Sequence, residues 1–168
     1  MPVMTMEIIG YHGTSQASKT SILKDGFIPS GSNEWFGAGI YFFETITPLF
    51  DGYLEAKQWA LCVKKYNNWA VIEAIIRSDN VLDLVKSIPH KQIFDQIRTE
   101  CLNLHRRSGK PDNEFTELVV FTKLEKMGFD AIRCIVDAMK NEGYYSYVVR
   151  RPQVQVCVKN NTCIVQLS

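Results

Sequence analysis

The stretch that most constrains this chain is Ala70 to Arg77, AVIEAIIR, which is apolar at almost every position. It is short for a helix and rich in β-branched residues. It therefore predicts a strand buried on both faces, with packing layers on either side of a sheet. Val81 to Val85 reads as a shorter strand of the same kind. Glu7 to His12 and Gly39 to Phe43 supply strands before it. Phe129 to Val136, Tyr144 to Val149, Val154 to Val158 and Cys163 to Leu167 supply strands after it. Asn160-Asn161, between the last two, suits the positive dihedrals of a tight hairpin turn.

Helices are expected between the strands. One starts near Ser15 and stops before Gly26, which is placed as a C-terminal cap. Ile28 to Trp35 is rich in Pro, Ser, Gly and Asn and reads as a loop. A helix over Tyr53 to Tyr66 has an apolar stripe of Leu54, Trp59 (or Gln58), Leu61 and Cys62. A helix over Pro89 to His105 uses Ile93, Ile97, Cys101 and Leu104. A third, over Asn113 to Met127, uses Phe115, Leu118, Val119 and Leu124. Strands at both ends with helices between them predict an α+β domain. With 168 residues and no Pro/Ser/Gly linker, residues 1–168 form one domain.

The formal charge of +1 lacks the strong basic excess usual in nucleic-acid binders, although Arg106-Arg107 and Arg150-Arg151 could build a local basic groove. Five scattered cysteines form no CxxC pair and no zinc spacing, so no metal site is expected. They read as small, reduced and mostly buried side chains. The start, MPVMTM, has neither the basic beginning nor the apolar stretch of a signal peptide. No apolar run approaches the roughly 20 residues that cross a bilayer. A cytoplasmic protein without a membrane partner is expected, and a leaderless secreted toxin is compatible with the same features.

Two short motifs carry chemistry. Tyr11-His12-Gly13-Thr14 ends a strand before a helix, and Gly37-Ala38-Gly39-Ile40-Tyr41-Phe42 follows the loop. Singly, each has an ordinary explanation. A GxG before an aromatic strand often marks a bend with close backbone packing, His12 could be a satisfied strand-end histidine, and Tyr41 and Phe42 could be core. In this order and spacing, with Ile22-Leu-Lys-Asp-Gly26-Phe27 between them, the motifs resemble the ADP-ribosyltransferase fold. The likeness is to its diphtheria-toxin-like and poly(ADP-ribose)-polymerase-like branch, which uses a His-Tyr-Glu triad. Trp35-Phe36-Gly37 through Glu44, with Ala56 and Trp59-Ala60 beyond, is similar to bacterial members. The resemblance is specific over residues 6–60. It is looser over 128–160, where Gly128-Phe-Asp-Ala-Ile132 and Gln153-Val-Gln-Val-Cys-Val158 resemble the closing strands.

The resemblance implies a split, mixed or antiparallel sheet with flanking helices, and NAD⁺ as substrate. Transferring ADP-ribose breaks the nicotinamide–ribose bond through an oxocarbenium-like transition state, a charge problem that glycosidases meet with carboxylates. Tyr41 is implied as the aromatic face under nicotinamide, with Trp59 or Tyr53 closing from the following helix. Offset stacking of this kind contributes about 0.5–1.5 kcal/mol. His12 is implied to bond a ribose hydroxyl, and the Gly13 backbone to read the carboxamide, where a side chain would block approach. Tyr11, Thr14, Gly39 and Ile40 complete the implied binding set.

The third element departs from the family pattern. Aligning on Pro152 puts Ser146 of Ser146-Tyr147-Val148-Val149 where the family glutamate stands. Glu142 is the nearest preceding carboxylate and the candidate catalytic one, with Ser146 without a carboxylate next, and Glu117 and Glu73 more distant. With Glu142 in place, the expectation is transfer of one ADP-ribose unit to a protein or nucleic-acid acceptor, or NAD⁺ hydrolysis. The expected setting is a toxin or defence effector, with an antitoxin as a candidate partner. Without a carboxylate, a weak enzyme or an NAD⁺- or ADP-ribose-binding module is expected. The RNA 2′-phosphotransferase branch shares the His-Gly-Thr strand end. Here His90 and His105 lie too far downstream for it.

Overall fold

The computed structural model describes residues 5–137 and 152–168, so Glu142, Ser146 and the expected strand 144–149 lie outside the described residues. Seven strands form one mixed sheet: β1 (Met6–Ser15), β2 (Ile40–Glu44), β3 (Trp69–Ser78), β4 (Val81–Asp83), β5 (Ala131–Asp137), β6 (Pro152–Val158) and β7 (Ile164–Leu167). Four α-helices accompany them among the described residues: α1 (Gln16–Asp25), α2 (Gly52–Gln58), α3 (Ile88–Arg107) and α4 (Leu118–Glu125). The α+β class expected from the strand and helix order is the one observed.

The sheet runs β4-β5-β6-β2-β1-β3-β7, antiparallel throughout except for the parallel β4–β5 pair. Its ends must approach each other. Only Asp79 and Asn80 separate β3 from β4, yet β5, β6, β2 and β1 lie between these strands in the sheet. The sheet therefore curls strongly, and Asp130 ties the junction. Its carboxylate accepts from Ser78 Oγ at 2.8 Å and from Asn160 Nδ2 at 3.0 Å, and its backbone N–H donates to the Asn80 carbonyl.

Curling gives the sheet two separately packed faces. Ile8, Ile40, Phe42, Ala74, Ile76, Val156 and Val158 fill the first. On the second, α3 and α4 press Phe94, Cys101, Val120, Phe121 and Leu124 onto Leu82, Ile132, Cys134 and Cys157. A fully buried Phe42 or Ile76 contributes about 1.5–3 kcal/mol from burial alone.

Several local expectations are corrected. In β3 only alternate residues (Ala70, Ile72, Ala74, Ile76 and Ser78) are buried, while Glu73 and Arg77 are exposed, so one face is buried and the other only partly covered. No tight hairpin forms at Asn160-Asn161. β6 already pairs with β2 and β5, so β7 runs through a short 3₁₀ turn to the free edge of β3. Asn160 keeps a negative φ of −108° and caps that turn through its own side chain.

The helix expected from Asn113 begins only at Leu118, after a 3₁₀ turn over Asp112–Glu114. It buries Val120, Phe121 and Leu124 and leaves Val119 exposed. In α2 the buried residues are the small ones, Gly52 and Ala56, followed by Ala60, while Leu54, Trp59 and Leu61 stay substantially exposed. Small residues let the helix lie directly on the backbone of β1 and β2. By contrast, α1 forms where expected, with the Ser15 side chain capping its start and the Gly26 N–H closing its end on the Ile22 carbonyl.

Candidate functional site at the β1–β2 split

β1 pairs with β3 along its whole length, but with β2 only at Gly10–Glu44 and Tyr11–Phe43. The position of that break matters for Gly13. Glu73 exchanges both backbone hydrogen bonds with Ser168, so its polar groups face away from β1. Antiparallel alternation then turns the N–H and C=O of Tyr11 and Gly13, opposite Glu73 and Val71, toward the β2 side. Tyr11 still meets Phe43 there. Gly13 lies past the last pair, where the strands part.

His12 sits at the parting. Its Nδ1 is 2.8 Å from the Tyr41 carbonyl oxygen, and because a carbonyl only accepts, Nδ1 carries the proton. Burial pushes the His12 pKa down, only partly offset by that hydrogen bond, so the neutral ring presents Nε2 as an acceptor. The imidazole packs edge-on against Phe27 and Phe42, with centroids at 5.0 Å and 5.9 Å.

The Tyr41 side chain points to the opposite face of the strand from its neighbour Phe42. One side of its ring stacks on Phe36, with centroids 5.8 Å apart and planes 17° from parallel. Its hydroxyl donates to the Gly37 carbonyl at 2.7 Å and accepts from the Phe36 N–H at 2.9 Å. Burial drives the phenol pKa far upward, so the hydroxyl stays a donor. Lys159 Nζ, donating to the Phe36 and Ala38 carbonyls, holds the same loop. Gly37 adopts φ of +77°, and a Cβ on Gly39 would stand 2.4 Å from Cys157 Sγ. Both glycines of the GxG thus have a backbone reason to be there, as the ordinary explanation of that motif requires.

A cavity of about 900 Å³ opens at the split. Of the residues singled out from the sequence, His12, Gly13, Thr14, Gly39, Ile40, Tyr41 and Trp59 line it. Tyr11 and Tyr53 do not. They pack edge-to-face on each other at 6.0 Å, and burial with the neighbouring Glu73 carboxylate raises the Tyr11 pKa. Trp59, rather than Tyr53, is therefore the aromatic that α2 brings to the cavity. It opens a π-helical turn, Trp59–Val63, whose wider winding carries Val63 and Lys64 to the same wall. Phe43 lies 6.4 Å from the Trp59 ring.

Gly13 has a second constraint that the sequence does not reveal. A Cβ there would fall 2.0 Å from the Ala56 carbonyl oxygen, so its bareness also seats α2.

The alternative carboxylates are elsewhere. Glu117 pairs with Arg98 at 2.6 Å, and Glu73 lies on the exposed face of β3; neither lines the cavity. Sequence reasoning missed Phe27, Gln153 and Gln155 on its wall. The glutamines alternate with buried Val154 and Val156, and that polar stripe within an otherwise apolar strand was the available signal.

It also missed a buried ionic cluster next to the site. Arg133 donates to Glu44 in a bidentate pair, at 2.6 Å and 2.8 Å, and to Asp83 at 3.1 Å, with all three residues buried. Asp83 additionally accepts from the Val85 and Lys86 N–H groups. The signal was Arg133 itself, alone in the apolar run Ala131 to Val136. Among the described residues there is no group of His, Cys, Asp and Glu that could hold a metal, and no helix long and apolar enough to cross a membrane.

No model of a known protein family matches the chain, and no solved structure matches it significantly. The chain is similar to the uncharacterized protein MJ0359 of the archaeon Methanocaldococcus jannaschii. The two are 32% identical over 185 residues, spanning 94% of this chain and 84% of that protein. At that identity and coverage, the chain belongs to the family of the uncharacterized protein MJ0359.

Proposed function

We propose that this protein is a mono-ADP-ribosyltransferase with an ADP-ribosyltransferase fold, which cleaves NAD⁺ between nicotinamide and ribose and passes ADP-ribose to a protein or nucleic-acid acceptor. The observation that carries this reading is the convergence of His12, Gly13, Tyr41 and Trp59 on one cavity where the β1–β2 ladder stops. Each offers what the chemistry needs. Nε2 of a neutral His12 accepts from a ribose hydroxyl. Gly13 offers an N–H and a C=O to a carboxamide. The Tyr41 ring, which lines the cavity with Trp59, provides apolar aromatic surface for a nicotinamide ring. The leaving nicotinamide takes the bonding electrons, and an acceptor nucleophile adds to the ribose carbon it vacates.

A cytoplasmic toxin or defence effector, held in check by an antitoxin, is the setting proposed for an enzyme of this kind. Labelled NAD⁺ incubated with the protein and a cell lysate tests the activity. Label on a macromolecule, with release of nicotinamide, is expected; absence of both would sink the reading.

A second reading, a module that binds NAD⁺ or ADP-ribose without transfer, is favoured by Ser146 standing where the ADP-ribosyltransferase pattern has glutamate; with Glu142 in place, a glycohydrolase that uses water as acceptor is the alternative. Nicotinamide release that disappears in Glu142→Gln would count against the binding module. Release without labelled acceptor would identify the glycohydrolase.

A further inference from the structure

One wall of the cavity carries a polar chain with a defined direction. Glu55 on α2 accepts a hydrogen bond from Gln153 Nε2, and Gln153 Oε1 accepts from Gln155 Nε2 at 3.1 Å. Amide oxygens and nitrogens are interchangeable in shape, so the orientation of two coupled glutamines is normally ambiguous. Here the carboxylate removes the ambiguity, because it offers acceptors and obliges Gln153 to turn its NH₂ toward Glu55. Gln153 must then turn its oxygen toward Gln155, and Gln155 must spend its NH₂ on Gln153. The remaining group of Gln155 is its carbonyl oxygen. Gln155 lies directly across the ladder from Phe43, two residues along from the Cys157–Tyr41 pair and so on the same face, and it lines the cavity.

We propose that Gln155 is a substrate-binding residue, oriented by Glu55 through Gln153, and that its carbonyl oxygen accepts a hydrogen bond from a hydroxyl of the nicotinamide-side ribose of NAD⁺. The proposal rests on the reading of the cavity as an NAD⁺-cleaving site. Hydrogen-bonded chains polarise along their length, so the negative charge of Glu55 strengthens the acceptor at the far end. That acceptor faces the sugar on which positive charge develops as nicotinamide leaves. An interaction that grows as charge develops acts on the transition state more than on the ground state. Glu55 is then a positioning residue, and its effect belongs in kcat.

The test is NAD⁺ turnover, measured as nicotinamide release, in wild type and three variants whose folding is checked by thermal melting. Glu55→Gln removes the charge and frees the amides to flip. It is expected to lower kcat on the order of tenfold or more while KM for NAD⁺ stays within about threefold. Gln155→Leu removes the acceptor and is expected to match or exceed that loss. The double variant Glu55→Gln/Gln155→Glu restores a carboxylate at the cavity wall and is expected to recover kcat, which a merely structural role for Glu55 would not produce. Wild-type kcat in both single variants, or no recovery in the double variant, overturns the proposal and leaves the NAD⁺ reading standing. A wild-type protein that releases no nicotinamide removes that reading, and the proposal with it.

Discussion

His12 Nδ1–H donates to the Tyr41 carbonyl oxygen at 2.8 Å, so the two motif residues are joined through the His12 ring and the Tyr41 backbone, not through the Tyr41 ring. The bond spans the point where β1 and β2 separate. It fixes the histidine tautomer and leaves the Tyr41 ring free to face the other side of the sheet.

Because burial is the main cause of the lowered His12 pKa, stability should depend on pH in a defined window. The unfolded chain takes up a proton as pH falls through about 6.5, while the folded protein resists until its lower pKa is reached. The neutral ring thus favours the fold fully above that range. Stability should fall on acidification from about 6.5 downward, and His12→Gln should flatten this part of the profile in denaturant titrations at several pH values.

Tyr41 separates two roles that can be measured independently. Tyr41→Phe keeps the ring but strands the Phe36 N–H and the Gly37 carbonyl, so unfolding should show a loss of about 1–3 kcal/mol. NAD⁺ affinity should change little. Tyr41→Ala also removes the stacking surface, and binding titrations should weaken by a further factor of up to about ten.

Arg133 is expected to be among the most sensitive residues in the described structure. Arg133→Met leaves Glu44 and Asp83 buried without their cation and should cost about 3–5 kcal/mol in chemical denaturation. Replacing all three by apolar residues of similar volume should recover much of that loss.

Gly13→Ala should destabilise even without ligand, since the new methyl would meet the Ala56 carbonyl at 2.0 Å. A loss near the upper end of about 1–3 kcal/mol is expected in thermal or denaturant melts, with α2 displaced from β1. A variant as stable as wild type would show that α2 does not rest on Gly13.

Thiol chemistry should single out Cys62. Cys101, Cys134, Cys157 and Cys163 are buried, and burial raises the Cys134 and Cys157 pKa values to about 12 and about 11. An alkylating reagent at pH 8 should therefore label Cys62 rapidly in the folded protein and the others only on unfolding, as peptide mapping would show.

Much of the secondary structure was legible because it depends on neighbours in the chain. Ser15 caps a helix through its own side chain, Gly26 closes it, and alternating apolar residues make β6 a strand wherever it is placed. The errors fell where a distant partner decides. In α2 the bulky residues looked like the buried stripe, but contact with the backbone of β1 and β2 selects Gly52, Ala56 and Ala60. The Asn160-Asn161 hairpin failed because both edges of β6 were already occupied.

The site divides in the same way. The sequence by itself determined the two motifs, YHGT and GAGIYF, and hence which residues stand at the end of β1 and the start of β2. Only the tertiary structure decided that these strands part beyond Tyr11–Phe43, that Trp59 rather than Tyr53 joins the cavity, and that Gln155 faces it. Motifs are read from adjacent residues. A split between strands, a helix resting on a bare glycine and a glutamine oriented by a carboxylate far away in the chain are set by packing and hydrogen bonding, and these exist only once the sheet has curled.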